Sequence, residues 1–193
     1  MRLYHIPGTR SSRVRWAFEE AGVQYDIELI TREERQESAF LARHPLGRVP
    51  VVETADGHVF ESAALILHAA DLNPASGLMP PAGTHERALV YQWVMYGMIE
   101  MEGQIVERYR FGDSDPARAA AGVEGYRKAA KVVEDALAGK EFLVGSQLTV
   151  ADIVVGGVCQ FGAFLGMNDG LPNIAAYLER LQSRPAFTAA HTD

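Results

Sequence analysis

The sequence predicts an α+β domain of element order βαβαββα followed by an all-α domain. Three observations carry this. Short strand-like runs are interleaved with helical periodicities over residues 1–74. A stretch at 75–84 is rich in Pro, Gly, Ala and Ser and has the composition of a linker. Over 85–193 the strand signals vanish and 3.6-residue periodicities take over.

Arg2-Leu3-Tyr4-His5-Ile6 reads as a short strand, broken by Pro7-Gly8. A helix is expected from Ser12, with Ser12 as its cap. Val14, Ala17, Phe18 and Ala21 share one face, and Gly22 closes it. Tyr25, Ile27 and Leu29 alternate with Gln24, Asp26 and Glu28, the pattern of a half-buried strand. Strand, helix and strand in that order imply a right-handed parallel crossover. Thr31 and Glu34 have capping-box spacing and predict a helix to about Arg43. Pro45 stops it by disfavouring helical geometry at His44.

The chain is organised around His44-Pro45-Leu46-Gly47-Arg48-Val49-Pro50-Val51-Val52-Glu53. Proline donates no ladder hydrogen bond, so Pro50 belongs at a strand's first residue, an edge or a bulge. A cis Val49-Pro50 bond would turn the main chain of Val49 outward, free to pair with an extended peptide. Thr54-Ala55-Asp56-Gly57 signals a hairpin leading to His58-Val59-Phe60. Glu61-Ser62 then opens an apolar helix from Ala63 to Ala70, with Ser62 suited to cap it.

In the second domain, 84–111 reads as one long helix with Val90, Val94, Gly97, Met101 and Ile105 along one face. Asp115 as cap and Pro116 at the first position begin the next helix. It carries Tyr126, Ala129, Val133 and Leu137 and ends at Gly139. Thr149 and Asp152 again have capping-box spacing, with Leu148 and Ile153 as a staple. A cap accounts for both the type and the place of Asp152, which is therefore read as structural. Cys159, on the apolar helix that follows, reads as a small core residue. A last helix from Pro172-Asn173 turns Ile174, Tyr177, Leu178 and Leu181 inward and ends before Pro185.

The 193 residues are 48% hydrophobic and 22% charged, the balance of a globular protein. A net charge of −7 argues against nucleic acid, which requires clustered Lys and Arg. No signal segment and no apolar run of membrane-spanning length are seen. One cysteine forbids an internal disulfide and suggests a reducing cytoplasm. The six His are scattered without metal-ligand spacing.

The segment around Pro45-Leu46-Gly47-Arg48-Val49-Pro50, the Glu61-Ser62 pair and Leu148-Thr149-Val150-Ala151-Asp152 together resemble the cytosolic glutathione transferases. The resemblance extends from Leu3-Tyr4 to Arg184-Pro185-Ala186-Phe187. It implies a thioredoxin-like glutathione-binding domain, an all-helical domain and a cytoplasmic homodimer. Glutathione would be the co-substrate, attacking a small apolar electrophile without a metal.

A free thiol has a pKa of about 8.5, so this chemistry calls for a hydroxyl and a helix N-terminus that favour the thiolate. Alignment through Tyr4, Pro7-Gly8 and Arg13-Val14-Arg15 puts Thr9 where serine-type classes carry serine. Thr9-Arg10-Ser11 stands in place of a bacterial Ser-Arg-Ser, so Thr9 and Ser11 are both candidates to hold the sulfur, with Tyr4 a weaker one. Arg10 occupies the site of the cysteine of the cysteine-type class and excludes a mixed disulfide there. By the same resemblance, the main chain of Val49, ahead of Pro50, would pair with the cysteinyl moiety. Glu61 and Ser62 would hold the γ-glutamyl end, and Arg48 and His44 would face the glycine carboxylate. The electrophile would lie between the domains, near Met101, Gln104, Arg108 and Tyr109, to which no roles are assigned. Two alternatives stand beside this reading. One is a maleylacetoacetate-type isomerase, suggested by Arg13-Val14-Arg15. The other is a non-catalytic binding or regulatory protein of the same fold.

Overall fold

The computed structural model describes residues 1–192. The first part of the chain forms β1 Arg2–His5, α1 Arg10–Ala21, β2 Asp26–Leu29, α2 Ser38–Leu41, β3 Val51–Thr54, β4 Gly57–Phe60 and α3 Ser62–Leu72. Helices follow: α4 His85–Tyr96, α5 Glu102–Phe111, α6 Pro116–Ala136, α7 Val150–Phe164, α8 Pro172–Gln182 and α9 Pro185–His191. The chain divides into two compact units, one of residues 1–79 with the segment from Arg184 onward, the other Pro80–Ser183.

The first unit is a thioredoxin-like layer in the expected order βαβαββα. Its four-stranded sheet runs β2-β1-β3-β4. β1 and β2 are parallel, and the other two pairings are antiparallel. Leu3, Val14, Phe18, Val52, Leu65 and Ile66 make the dry interior between sheet and helices. Residues Ser11 to Phe18 of α1 are all buried, because α1 packs on α3, on α9 and on β1.

Several local expectations change. Thr9, not Ser12, caps α1: its backbone is extended and its side chain accepts the N–H of Ser11. Ser62 is likewise not a cap but the first helical residue of α3, with Glu61 before it. β2 is not half-buried, since Ile27 and Leu29 are 41% and 61% exposed. Only β1 borders it, so it is an edge strand. The Thr31–Glu34 box does form, with Thr31 N–H to Glu34 at 2.6 Å and Glu34 N–H to Thr31 at 3.1 Å. It opens only a 3₁₀ turn, Glu34–Gln36, and then the one-turn α2. Residues 31–37 are polar or charged throughout, and a segment with no apolar face gains too little packing to extend as a helix.

The second unit is all helical. The helix expected over 84–111 is interrupted by a π turn, Gly97–Met101, yet Val90, Val94, Gly97, Met101 and Ile105 are all buried as the pattern required. At the π turn a side chain on Gly97 would come within 3.1 Å of Val155 on α7. Asp115 caps α6 through the Arg118 N–H at 3.0 Å. Asp152 has the structural role read for it. It is buried and accepts from the N–H groups of Leu143 and Thr149 and the hydroxyls of Thr149 and Tyr177. Glu134, also buried, accepts the N–H groups of Asn173 and Ile174 and so closes the start of α8. Cys159 is enclosed in the core, and burial pushes its thiol up to about 12. The last helix, α9, went unforeseen: Pro185 occupies its first turn and belongs to the first unit.

Candidate functional site

Sheet topology gathers the site. Because β1 and β3 are antiparallel with Tyr4 opposite Val51, the end of β1 lies beside the start of β3. Phe60 at the end of β4 also pairs with Val51. The turn carrying Thr9, the Val49-Pro50 segment and the Glu61-Ser62 start of α3 therefore meet at one end of the sheet. Thr9 and Val49 lie on connections between elements, Ser62 opens α3, and His5 ends β1.

At the first turn, Thr9 is half-buried and Ser11 is fully enclosed. The Thr9 hydroxyl donates to the carbonyl of Ile6 at 2.7 Å and lies 2.8 Å from that of Ser11. The Ser11 hydroxyl accepts the Ile6 N–H at 3.2 Å and lies 2.7 Å from Nδ1 of His5. Of the two residues read as candidates, Thr9 keeps part of its surface exposed and Ser11 keeps none. An oxygen with no exposed surface cannot meet an external sulfur, so Ser11 is withdrawn from that role. Tyr4 is also withdrawn. Its side chain points to the opposite face of β1 from His5, donates to Glu53 at 2.8 Å and packs edge-on against Phe40. Arg10 is exposed at the first position of α1.

At the start of α3, Ser62 is 2% exposed and accepts two N–H groups from Arg13, at 3.1 and 2.6 Å. Its oxygen is thus held by a cation, and its own proton remains to be given. Glu61 is exposed and is the one non-glycine residue with positive φ among the described residues, at 74°. That geometry is sparsely populated by side-chain-bearing residues and clusters at binding sites.

Between α2 and β3, Val49-Pro50 is cis. Pro50 is buried, and the Val49 side chain packs on the cluster of Tyr4, Phe40 and Val51. Among the described residues neither the N–H nor the C=O of Val49 has a hydrogen-bond partner. Gly47 is required here: its φ is 56°, and a Cβ would fall 2.5 Å from the carbonyl of Arg35. Arg48 is exposed and His44 buried, the latter ring tilted against that of Phe60 with centroids 4.5 Å apart. His44 accepts the Leu46 N–H at Nδ1, 3.1 Å away, which places its proton on Nε2. Burial holds its pKa below the ordinary value, with the Glu61 carboxylate opposing and Arg48 adding. The charges of Glu61 and Arg48 thus both bear on the His44 imidazole, with opposite sign.

Two residues of this site escaped the sequence reading: His5 and Arg13. The available signal was a basic residue inside a helix start otherwise suited to burial, since Arg is rarely buried unless paired. Among the described residues no group of three His, Cys, Asp or Glu is placed to hold a metal ion, and no helix is long and apolar enough to cross a membrane.

Comparison with known proteins finds matches for both parts of the chain. Residues 1–71 match the glutathione S-transferase N-terminal domain and residues 87–185 its C-terminal domain. A glutathione transferase from Methylococcus capsulatus superposes with a TM-score of 0.90 at 31% identity, over 98% of this chain and 96% of that one. A sphingomonad glutathione S-transferase complexed with glutathione gives 0.89 at 28%, over 99% and 97%. Elongation factor 1-gamma of Prunus avium is 31% identical over 157 residues, which are 77% of this chain but 37% of that protein. The chain thus spans little more than a third of that relative's length. By its two matched domains, the chain belongs to the glutathione S-transferase family.

Proposed function

We propose that the chain is a glutathione transferase in which Thr9 holds the sulfur of bound glutathione as a thiolate for attack on a small apolar electrophile. Residues 1–74 form its glutathione-binding domain, and the working form is a cytoplasmic homodimer. The observation that carries the reading is a half-buried threonine, Thr9, at the N-terminus of α1, next to a Ser11 that is wholly enclosed. A hydroxyl donor and a helix N-terminus both favour an anion over a neutral thiol. The thiol proton leaves to solvent. The sulfur lone pair then forms the new C–S bond while the leaving group departs with its bonding pair.

The remaining contacts follow the chemistry of each group. The unpaired main chain of Val49 would pair with the cysteinyl moiety as a short antiparallel strand. Ser62, its oxygen already held by Arg13, would give its proton to the γ-glutamyl carboxylate, and Glu61 would receive the α-amino group. Arg48 and the Nε2–H of His44 would meet the glycine carboxylate.

The test compares Thr9→Val with Thr9→Ser in conjugation of an activated aryl halide. Valine is expected to lower kcat by about tenfold or more, as loss of one donor to a charge does. Serine retains most of the rate. Equal turnover in Thr9→Val overturns the assignment. The likeness to elongation factor 1-gamma supports a second reading, a non-catalytic member of the fold. Calorimetric binding of glutathione with no turnover of any electrophile would favour it.

A further inference from the structure

Behind Thr9 lies a chain of hydrogen bonds that the proposed reaction leaves unused. Nδ1 of His5 is 2.7 Å from Oγ of Ser11, and that oxygen is 2.8 Å from Oγ1 of Thr9. Both hydroxyls are within donor distance of one acceptor, the Ile6 carbonyl, at 2.7 Å from Thr9 and 3.1 Å from Ser11. The Ile6 N–H is given to Ser11 at 3.2 Å, and the Ser11 N–H to Thr9 at 3.3 Å. His5 and Ser11 have no exposed surface.

Proton counting constrains this network. Each hydroxyl has one proton and two lone pairs. When Thr9 points its proton at a sulfur anion, the Ile6 carbonyl loses its nearer donor, and a buried carbonyl left without one is costly. Ser11 can replace it only if its proton is not held by His5. An imidazole protonated at Nδ1 donates to Ser11. Together with the Ile6 N–H it fills both lone pairs of the Ser11 oxygen, so the Ser11 proton can go only to Thr9 or to the Ile6 carbonyl.

We propose that His5 and Ser11 are positioning residues for Thr9. His5 donates from Nδ1 to Ser11, and Ser11 moves its proton from Thr9 to the Ile6 carbonyl as Thr9 turns to a sulfur anion. No covalent bond is made or broken, and the carbonyl stays satisfied in both states. This rests on Thr9 being the sulfur-facing hydroxyl.

The test measures the pKa of the thiol of bound glutathione from the ultraviolet absorbance of the thiolate. Glutathione affinity at acid pH and turnover are measured alongside. Ser11→Ala and His5→Leu are each expected to lower the thiolate fraction at neutral pH and kcat by about tenfold, while affinity for the thiol form stays within about twofold. His5→Asn, which keeps an N–H near the Nδ1 position, restores most of the loss. In a Thr9→Val background Ser11→Ala adds nothing; a full further loss there overturns the relay. If Thr9→Val lowers turnover while Ser11→Ala and His5→Leu leave the thiol pKa unchanged, the relay fails and Thr9 stands. If Thr9→Val itself changes nothing, both fail. Nitrogen-15 spectra of the wild-type protein give an independent readout that does not depend on any variant folding. An Nε2–H tautomer at His5 overturns the relay.

Discussion

The guanidinium of Arg13, on α1, gives two N–H groups to a single oxygen, the hydroxyl of Ser62 at the start of α3. Both residues are buried, so this charge-assisted contact ties together two helix starts at the same end of the sheet. Removing the acceptor by Ser62→Ala is expected to lower the unfolding free energy by about 1.5–3 kcal/mol, as for hydrogen bonds to charged groups. The same change should weaken glutathione binding by about tenfold. Urea denaturation and calorimetry would read the two effects separately. Unchanged stability would mean that the Arg13 contact contributes nothing to the fold.

His44 makes acid stability sensitive to one proton. Its pKa lies below the ordinary 6.5, chiefly because of burial. The unfolded chain takes up this proton near pH 6.5, whereas the folded chain resists it until the pH is lower. The contribution of His44 is therefore complete above that value and declines as pH falls through the folded pKa. His44→Asn offers an oxygen to the Leu46 N–H but does not titrate. It should flatten the acid limb of stability against pH by at most about 1.4 kcal/mol per pH unit. Parallel wild-type and mutant slopes below 6.5 would remove His44 from the account.

Asp152 gathers four donors within a dry interior: two main-chain N–H groups and two hydroxyls. Asp152→Ala strands the N–H groups of Leu143 and Thr149, and should cost about 3 kcal/mol or more. Thr149→Ala removes only the cap hydroxyl and should cost about 1 kcal/mol. Denaturant titration of both variants gives the comparison. Equal losses would show that the carboxylate acts through the cap alone.

Phe187 on α9 stands edge-on to Trp16 on α1, centroids 5.2 Å apart, and Glu20 accepts from both Trp16 and Arg184. Phe187→Ala should destabilise the docking of α9 by about 1–3 kcal/mol. Trp16 is 1% exposed, so release of α9 should red-shift its emission. The other tryptophan, Trp93, belongs to the second unit and serves as the unchanged reference. An emission spectrum identical to wild type would sink this picture of the helix.

The succession of strands and helices was legible because the spacing of apolar residues switches between periods of two and 3.6 along the chain. Asp152 was legible because its cap partner lies three residues away. Where a partner lies far along the chain, local pattern is silent. Arg13 meets Ser62 49 residues on, and the edge position of β2 depends on which strand it pairs with. The cap of α1 failed for a different reason. Thr9, Ser11 and Ser12 are all good capping residues, and only the extended backbone of Thr9 selects among them. The same crowding of hydroxyls hid the fact that one of the two candidates for the sulfur was sealed inside.

Because α9 packs on α1, the first unit is stitched shut by a segment that follows the second unit in the sequence. During synthesis, Trp16 and its neighbours wait uncovered until Pro185–His191 has cleared the ribosome, so the opening unit cannot mature ahead of the rest. A fragment ending at Met79 would carry that bare face permanently and should be captured by chaperones rather than accumulate.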